Sequence, residues 1–247
     1  TAVNAYGGFA TDSAAVTENR VEVQGAAVNG EVYGAKAVSG AASGNKVFVR
    51  SGTVKQKVVG AETTTGNVSG SHVFVTGGTI GTPATGSAPA LLGSVMGAQS
   101  ADGNVDGNSV TITGGTYSDG GNVIGGSATV LNGAGTNLAT ANTNRVTLSP
   151  TNAAWEEIRG GRAIANGISA ASTATADGNI LTLSAGTFEQ PVYGGDASAA
   201  SSSNTAVAAA ESNELHISGG KYEDAIYGGR ATTDGSAGTT AIVRGNT

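Results

Sequence analysis

Apolar and polar positions alternate in short bursts along the whole chain, in the form polar-x-apolar-x-apolar. The first apolar residue of each burst is Val21, Val47, Val73, Val110, Val146, Leu181, Leu215 and, degenerately, Ala241. The second is Val23, Val49, Val75, Ile112, Leu148, Leu183, Ile217 and Val243. A period of two over so few residues predicts half-buried β-strands, with these side chains pointing inward as two columns. Asn usually stands two places before the first apolar residue (Asn19, Asn45, Asn108, Asn144, Asn179, Asn213), and Gly-containing turns such as Gly77-Gly78-Thr79 often follow. These residues read as turn brackets around each strand.

A second short motif follows each burst: Val32-Tyr33-Gly34-Ala35, Val58-Val59-Gly60-Ala61, Val95-Met96-Gly97-Ala98, Val123-Ile124-Gly125-Gly126, Ile158-Arg159-Gly160-Gly161, Val192-Tyr193-Gly194-Gly195 and Ile226-Tyr227-Gly228-Gly229. Successive repeat starts are 26, 26, 37, 36, 35, 34 and 26 residues apart, with an inserted loop at 81–91. Units of this size with two or three strands cannot bury their apolar faces alone, and they must stack. Stacked in register, each strand finds its backbone partners in the layers above and below. The prediction is an all-β, parallel β-solenoid of about eight coils formed by residues 1–247 as one body, with incomplete coils at 1–18 and 239–247.

Positions not used to find the repeat support its register. Two residues beyond the first Gly of the second motif stand Phe9, Lys36, Glu62, Gln99, Ser127, Arg162, Asp196 and Arg230. Opposite charges are neighbours here, Lys36 with Glu62 and Arg162 with Asp196 with Arg230, which predicts a ladder of exposed ion pairs. The next column is mostly Ala and uniformly small, which suits a tight inward corner.

Composition narrows the class. The chain has 41 Gly, no Cys, 38% hydrophobic residues but only 4% aromatic ones, and a net charge of -6. Gly at more than twice its usual share without a triplet period excludes collagen, and the core must be built from Val, Ile, Leu and Ala. The acidic balance argues against nucleic acid or anionic lipid as a partner. No apolar run approaches the roughly 20 residues of a membrane helix, so direct membrane insertion is not expected.

The tandem units, of the type Asn-x-Val-x-Val-x-Gly-Gly-Thr followed by Val-Tyr-Gly-Gly, resemble the passenger regions of bacterial autotransporter-type surface proteins and adhesins. The resemblance covers essentially the whole chain. It implies a right-handed β-helix, a secreted, cell-surface or extracellular location, and adhesion or self-association as the activity. It is specific for architecture and poorly specific for function, because such passengers include adhesins, self-associating proteins and protease scaffolds.

Candidate chemistry is sparse. Glu189, Glu223 and Asp224 form the best carboxylate patch, the repeat stacking Glu189 on Glu223; a carbohydrate-active site there is the enzymatic alternative. No basic residue joins them in the same columns, so a solvated rim is the preferred reading. Trp155 sits in a segment that departs from the repeat; it is a candidate recognition residue beside Arg159, although a Trp covering a distorted turn is the preferred reading. Phe48 stacked on Phe74, and the outward series Tyr6, Tyr33, Val59, Met96 and Ile124, predict apolar strips suited to contact with another protein. His72 and His216 lie in different columns, and neither metal nor cofactor is expected. The chain opens on Tyr6-Gly7-Gly8 and closes on Ile242-Val243, incomplete ends that read as complementary. Uncapped ends invite head-to-tail stacking into a filament. The reading is therefore a non-enzymatic structural or adhesive protein that self-associates head to tail or laterally, or binds host or bacterial surface ligands.

Overall fold

The computed structural model describes residues 3–82, 93–118, 121–131, 137–149, 154–167, 170–235 and 237–247. Among these residues every element is a strand and every pairing is parallel, with a strand order consistent with a solenoid. No helix is long and apolar enough to cross a membrane. The insertion expected at 81–91 lies outside the described residues from 83 onward.

The second motif builds the long sheet. Ala5–Ala10 pairs with Val32–Ala37, and the series continues through Val58–Thr63, Val95–Ser100, Gly121–Leu131, Ala154–Gly167, Val192–Ser201 and Ile226–Gly235. The first motif builds a seven-stranded sheet from Arg20–Val23 to Glu214–Ile217, in which Val21, Val47, Val73, Val110, Val146, Leu181 and Leu215 align as expected. Shorter ladders turn the corners between these two, among them Val16–Thr17 to Val105–Asp106 and Ala27–Val28 to Thr116–Tyr117.

Two cores result. One is a column of Val, Ile and Leu with Tyr117, Trp155 and Phe188; the other, at the tight corner, is almost all Ala. Parallel strands paired on both sides leave no room for longer chains at that corner, which is why the small column was legible.

The last repeat corrects the expected register. Ala241 pairs with Ala208 and Val243 with Ala210, on the Ala-rich side, so neither continues the Val21 and Val23 columns. The residue that does continue the repeat is Asn246. It receives the backbone N–H and side-chain amide of Asn213, as the Asn of each repeat does from its predecessor.

Those asparagines are not turn brackets. Asn45, Asn108, Asn144, Asn179 and Asn213 are fully or almost fully buried, and the described chain carries them as an internal ladder. Asn108 donates its backbone N–H and Nδ2 to Asn144 Oδ1 at 2.9 and 3.2 Å, and Asn144 does the same to Asn179 at 3.0 and 3.2 Å. Asn179 continues to Asn213 at 2.9 and 3.0 Å, and Asn19 to Asn45 at 3.0 and 2.9 Å. A buried amide is tolerated only when bonded, and here each layer supplies the acceptor for the last.

The Gly-Gly pair exists to admit this ladder. A Cβ on Gly125 would run into the carbonyl oxygen of Gly160 one layer on, and the same holds for Gly34 against Gly60 and Gly160 against Gly194. A Cβ on Gly126 would stand 2.6 Å from Asn144 Oδ1. The first Gly therefore lets the layers approach in every repeat, and the second gives the amide room in the first and the later layers, whereas Ala35, Ala61 and Ala98 take its place in those between.

Candidate functional site

The long sheet turns its outer face to solvent, and a charged cluster spans its last three long strands. Asp196, whose side chain is only 4% exposed, accepts Arg230 Nε and Nη2 at 2.7 and 2.9 Å and is also paired with Arg159. Arg159 reaches back to Glu157 and lies over the Tyr193 ring, 4.9 Å from its centroid. Arg230 caps the same ring at 4.3 Å and donates to the Tyr193 hydroxyl at 2.9 Å. Burial holds the Arg159 guanidinium below its ordinary range, opposed by the charges of Asp196 and Glu157. The side chains interlock across three layers, which makes this cluster the best-ordered polar feature outside the ladder.

The expected ion ladder is thus correct for Lys36 with Glu62, 2.6 Å apart, and for Asp196 with Arg230. Its Arg162–Asp196 rung is replaced: Arg159, from the neighbouring column, takes the carboxylate. Around Glu62 a second cluster forms, since Lys57 Nζ approaches within 3.0 Å and Gln99 donates to the same carboxylate.

The carboxylate patch is where the repeat put it. Phe188 pairs with Tyr222, so Glu189 and Glu223 follow on adjacent strands, and both are exposed with Asp224. No basic residue stands in their columns, but a cation reaches the patch from beside them. Lys221 Nζ pairs with Glu223, and Asp224 Oδ1 accepts the N–H of Ala225 at 2.7 Å. The pairing with Glu223 raises the Lys221 pKa, with a smaller contribution from Glu189. The column argument missed this because Lys221 and Glu223 belong to one strand end, two residues apart, rather than to one column.

Trp155 is not available for recognition. Its relative exposure is 0%, and its ring packs at 4.6 Å against Tyr117 inside the larger core. Trp155 stands in register with the buried Phe188, so it continues an inward column, and the bulge that follows, where Gly121 faces Trp155 but Asn122 faces Glu157, leaves Glu156 as the extra residue. The outward apolar series is likewise covered. Tyr33, Val59 and Ile124 are buried, Tyr33 beneath Lys36 and Lys57, and only Tyr6 at the edge is 41% exposed. Phe48 and Phe74 do stack, 5.0 Å apart, but Arg20 lies 4.0 Å over Phe48 and both rings are half-buried. Gly7 faces Gly34, and Ile242 and Val243 lie in the last described strand with Val243 exposed.

His72 bonds through Nδ1 to Ser109 Oγ at 2.7 Å, and burial lowers its pKa. Among the described residues no group of three or more His, Asp or Glu side chains is placed to hold a metal ion. Compared with known proteins, the chain matches no family model, no curated protein and no solved structure.

Proposed function

We propose that this chain is a non-enzymatic structural and adhesive segment of a bacterial cell-surface or extracellular protein, wound as a right-handed parallel β-solenoid of about eight coils. It self-associates or binds surfaces through its outer faces. The observation that carries the reading is the stacking itself. A buried asparagine ladder and a glycine column lock successive layers, so that outer side chains stand in fixed columns such as Tyr193 over Tyr227, rings 5.2 Å apart. Rigid columns present a pre-ordered surface whose contacts cost little further side-chain entropy.

A second reading, a filament of end-stacked copies, has one specific observation in its favour. Ala5–Ala10 and Ile226–Gly235 share the frame Tyr-Gly-Gly, and Tyr6 and Tyr227 are each 41% exposed on unpaired strand edges. Continuing the register would set Tyr6 on Tyr227, Phe9 on Arg230 and Asn19 on Asn246. Light scattering with electron microscopy of the purified chain over a concentration series tests both readings. Lateral bundles support the first and lengthening rods the second; single particles at every concentration oppose self-association by either route.

A further inference from the structure

The charge balance on the long sheet is uneven at one side chain. Arg159, Arg162 and Arg230 share this face with Asp196 and Glu157, and both carboxylates are engaged by Arg159 and Arg230. Arg162 has no ion pair or hydrogen bond among the described residues, and its Nε is buried without a partner. An unpaired guanidinium in a half-buried setting is costly, and its planar fork matches an oxyanion.

The neighbours of Arg162 indicate what kind of oxyanion. In its column the preceding layers hold Ser127 and then Gln99, and both border a recess of about 320 Å³ that Arg162 flanks, one strand beyond Ser127, without lining it. That volume is at the small end of ligand sites, which run from about 300 Å³ upward. Thr63 and Ser100 line it but spend their hydroxyl protons on Gly66 O, and Glu62 is neutralised by Lys36 and Lys57. The groups left over are the Thr64, Ser127 and Thr129 hydroxyls and the Gln99 side-chain oxygen, since Gln99 Nε2 is given to Glu62. Hydroxyls and an amide oxygen beside one cation fit a ligand that carries a carboxylate on a hydroxyl-rich body.

We propose that Arg162, Ser127, Thr129 and Gln99 form a binding subsite for an acidic sugar, with Arg162 holding the sugar carboxylate and the other three its hydroxyls. The proposal rests on the adhesive reading and names the ligand class of one face.

The test is titration of the full chain with glucuronate, methyl glucoside and inorganic sulfate as separate probes, followed by amide chemical shifts and calorimetry. Glucuronate is expected to bind and to shift Gln99, Ser127 and Thr129. Methyl glucoside should bind at least tenfold more weakly, and sulfate should compete only at higher concentration. Arg162→Gln should weaken glucuronate at least tenfold, with Arg162→Lys in between, and Trp155 fluorescence checks that each variant is folded. Equal binding of glucuronate by wild type and Arg162→Gln overturns the proposal, as does equal affinity for the neutral glucoside or no binding of any probe. Sulfate binding as tightly as glucuronate reduces the site to a simple anion site and overturns the sugar assignment. Light scattering without ligand reports self-association separately, so loss of one reading is distinguishable from loss of the other.

Discussion

Ser71 interrupts the asparagine ladder, and its replacement by Asn is the sharpest test of what the ladder contributes. Ser71 is fully buried, its backbone N–H donates to Asn108 Oδ1 at 2.9 Å, but its own hydroxyl has no partner. No side-chain bond joins it to Asn45, whereas the intact links each carry two bonds to one Oδ1. Space is available by analogy within the molecule: a Cβ on Gly34 would stand 3.3 Å from Asn45 Cβ and one on Gly60 3.3 Å from Ser71 Cβ, so Ser71 faces the glycine equivalent to the one Asn45 faces. Ser71→Asn therefore adds three hydrogen bonds, two from Asn45 to the new Oδ1 and one from the new Nδ2 to Asn108 Oδ1, worth about 0.5–1.5 kcal/mol each, and removes an orphaned hydroxyl. Against this stands the ordering of one amide side chain, at most about 1–2 kcal/mol. The expected net gain is about 1–2 kcal/mol, from these same terms. Urea unfolding followed through the only Trp, which is buried, measures it, and hydrogen exchange at Asn45 and His72 localises it. Stability equal to or below wild type refutes the ladder account. So does an equal gain from Ser71→Ala, which would credit the lost hydroxyl alone.

Other perturbations separate the remaining forces. Asp196→Ala strands the buried Arg159 guanidinium and should cost about 3–5 kcal/mol, while Glu223→Ala at the exposed rim should stay within about 0.5 kcal/mol, both read by urea unfolding. Gly125→Ala drives a Cβ into the Gly160 carbonyl and should cost about 1–3 kcal/mol or more. Gly126→Ala should cost less, since Ala35, Ala61 and Ala98 occupy that position elsewhere; the reverse order in thermal melts would contradict the close-approach argument. The His72 pKa is lowered in the folded chain, so the unfolded chain binds the proton more readily. Its contribution is complete above the unfolded value of about 6.5 and is lost as pH falls through the folded value. Stability measured from pH 7 to pH 5 should fall in wild type and fall less in His72→Gln.

What the sequence discloses and what it hides follow from how many layers an argument needs. Inward columns such as Val47, Val73 and Val110 need only the alternation within one strand, and they align as expected. The Lys36–Glu62 pair needs one correct neighbour and was also legible. The asparagines were read as turn residues because a single strand offers a buried amide no partner; only the next layer supplies its Oδ1. Trp155 was read as covering a distorted turn or standing exposed for recognition because its segment departs from the repeat; only the next layer, where it pairs with Phe188, shows the inward column it belongs to. Arg162 lost its place on Asp196 because Arg159, anchored over Tyr193, reaches the carboxylate from a neighbouring column. Asn246, not Ala241, carries the last repeat, and its spacing from Asn213 was the available signal: Asn179 to Asn213 is 34 residues and Asn213 to Asn246 is 33.

The parallel, layer-by-layer register is the claim on which everything else depends, and paired cysteines test it most directly. The chain has no native Cys, so an introduced pair reports alone. Thr111 and Thr147 are partners on adjacent strands, and Thr147 in turn partners Thr182. Adjacent strands are about 4.8 Å apart, within disulfide reach, and second neighbours are about twice that, beyond it. Mild oxidation should cross-link Thr111→Cys with Thr147→Cys, and Thr147→Cys with Thr182→Cys, but leave Thr111→Cys with Thr182→Cys reduced. Cross-linking of the outer pair at the rate of the adjacent pairs, or of none of the three, would contradict the stacked register.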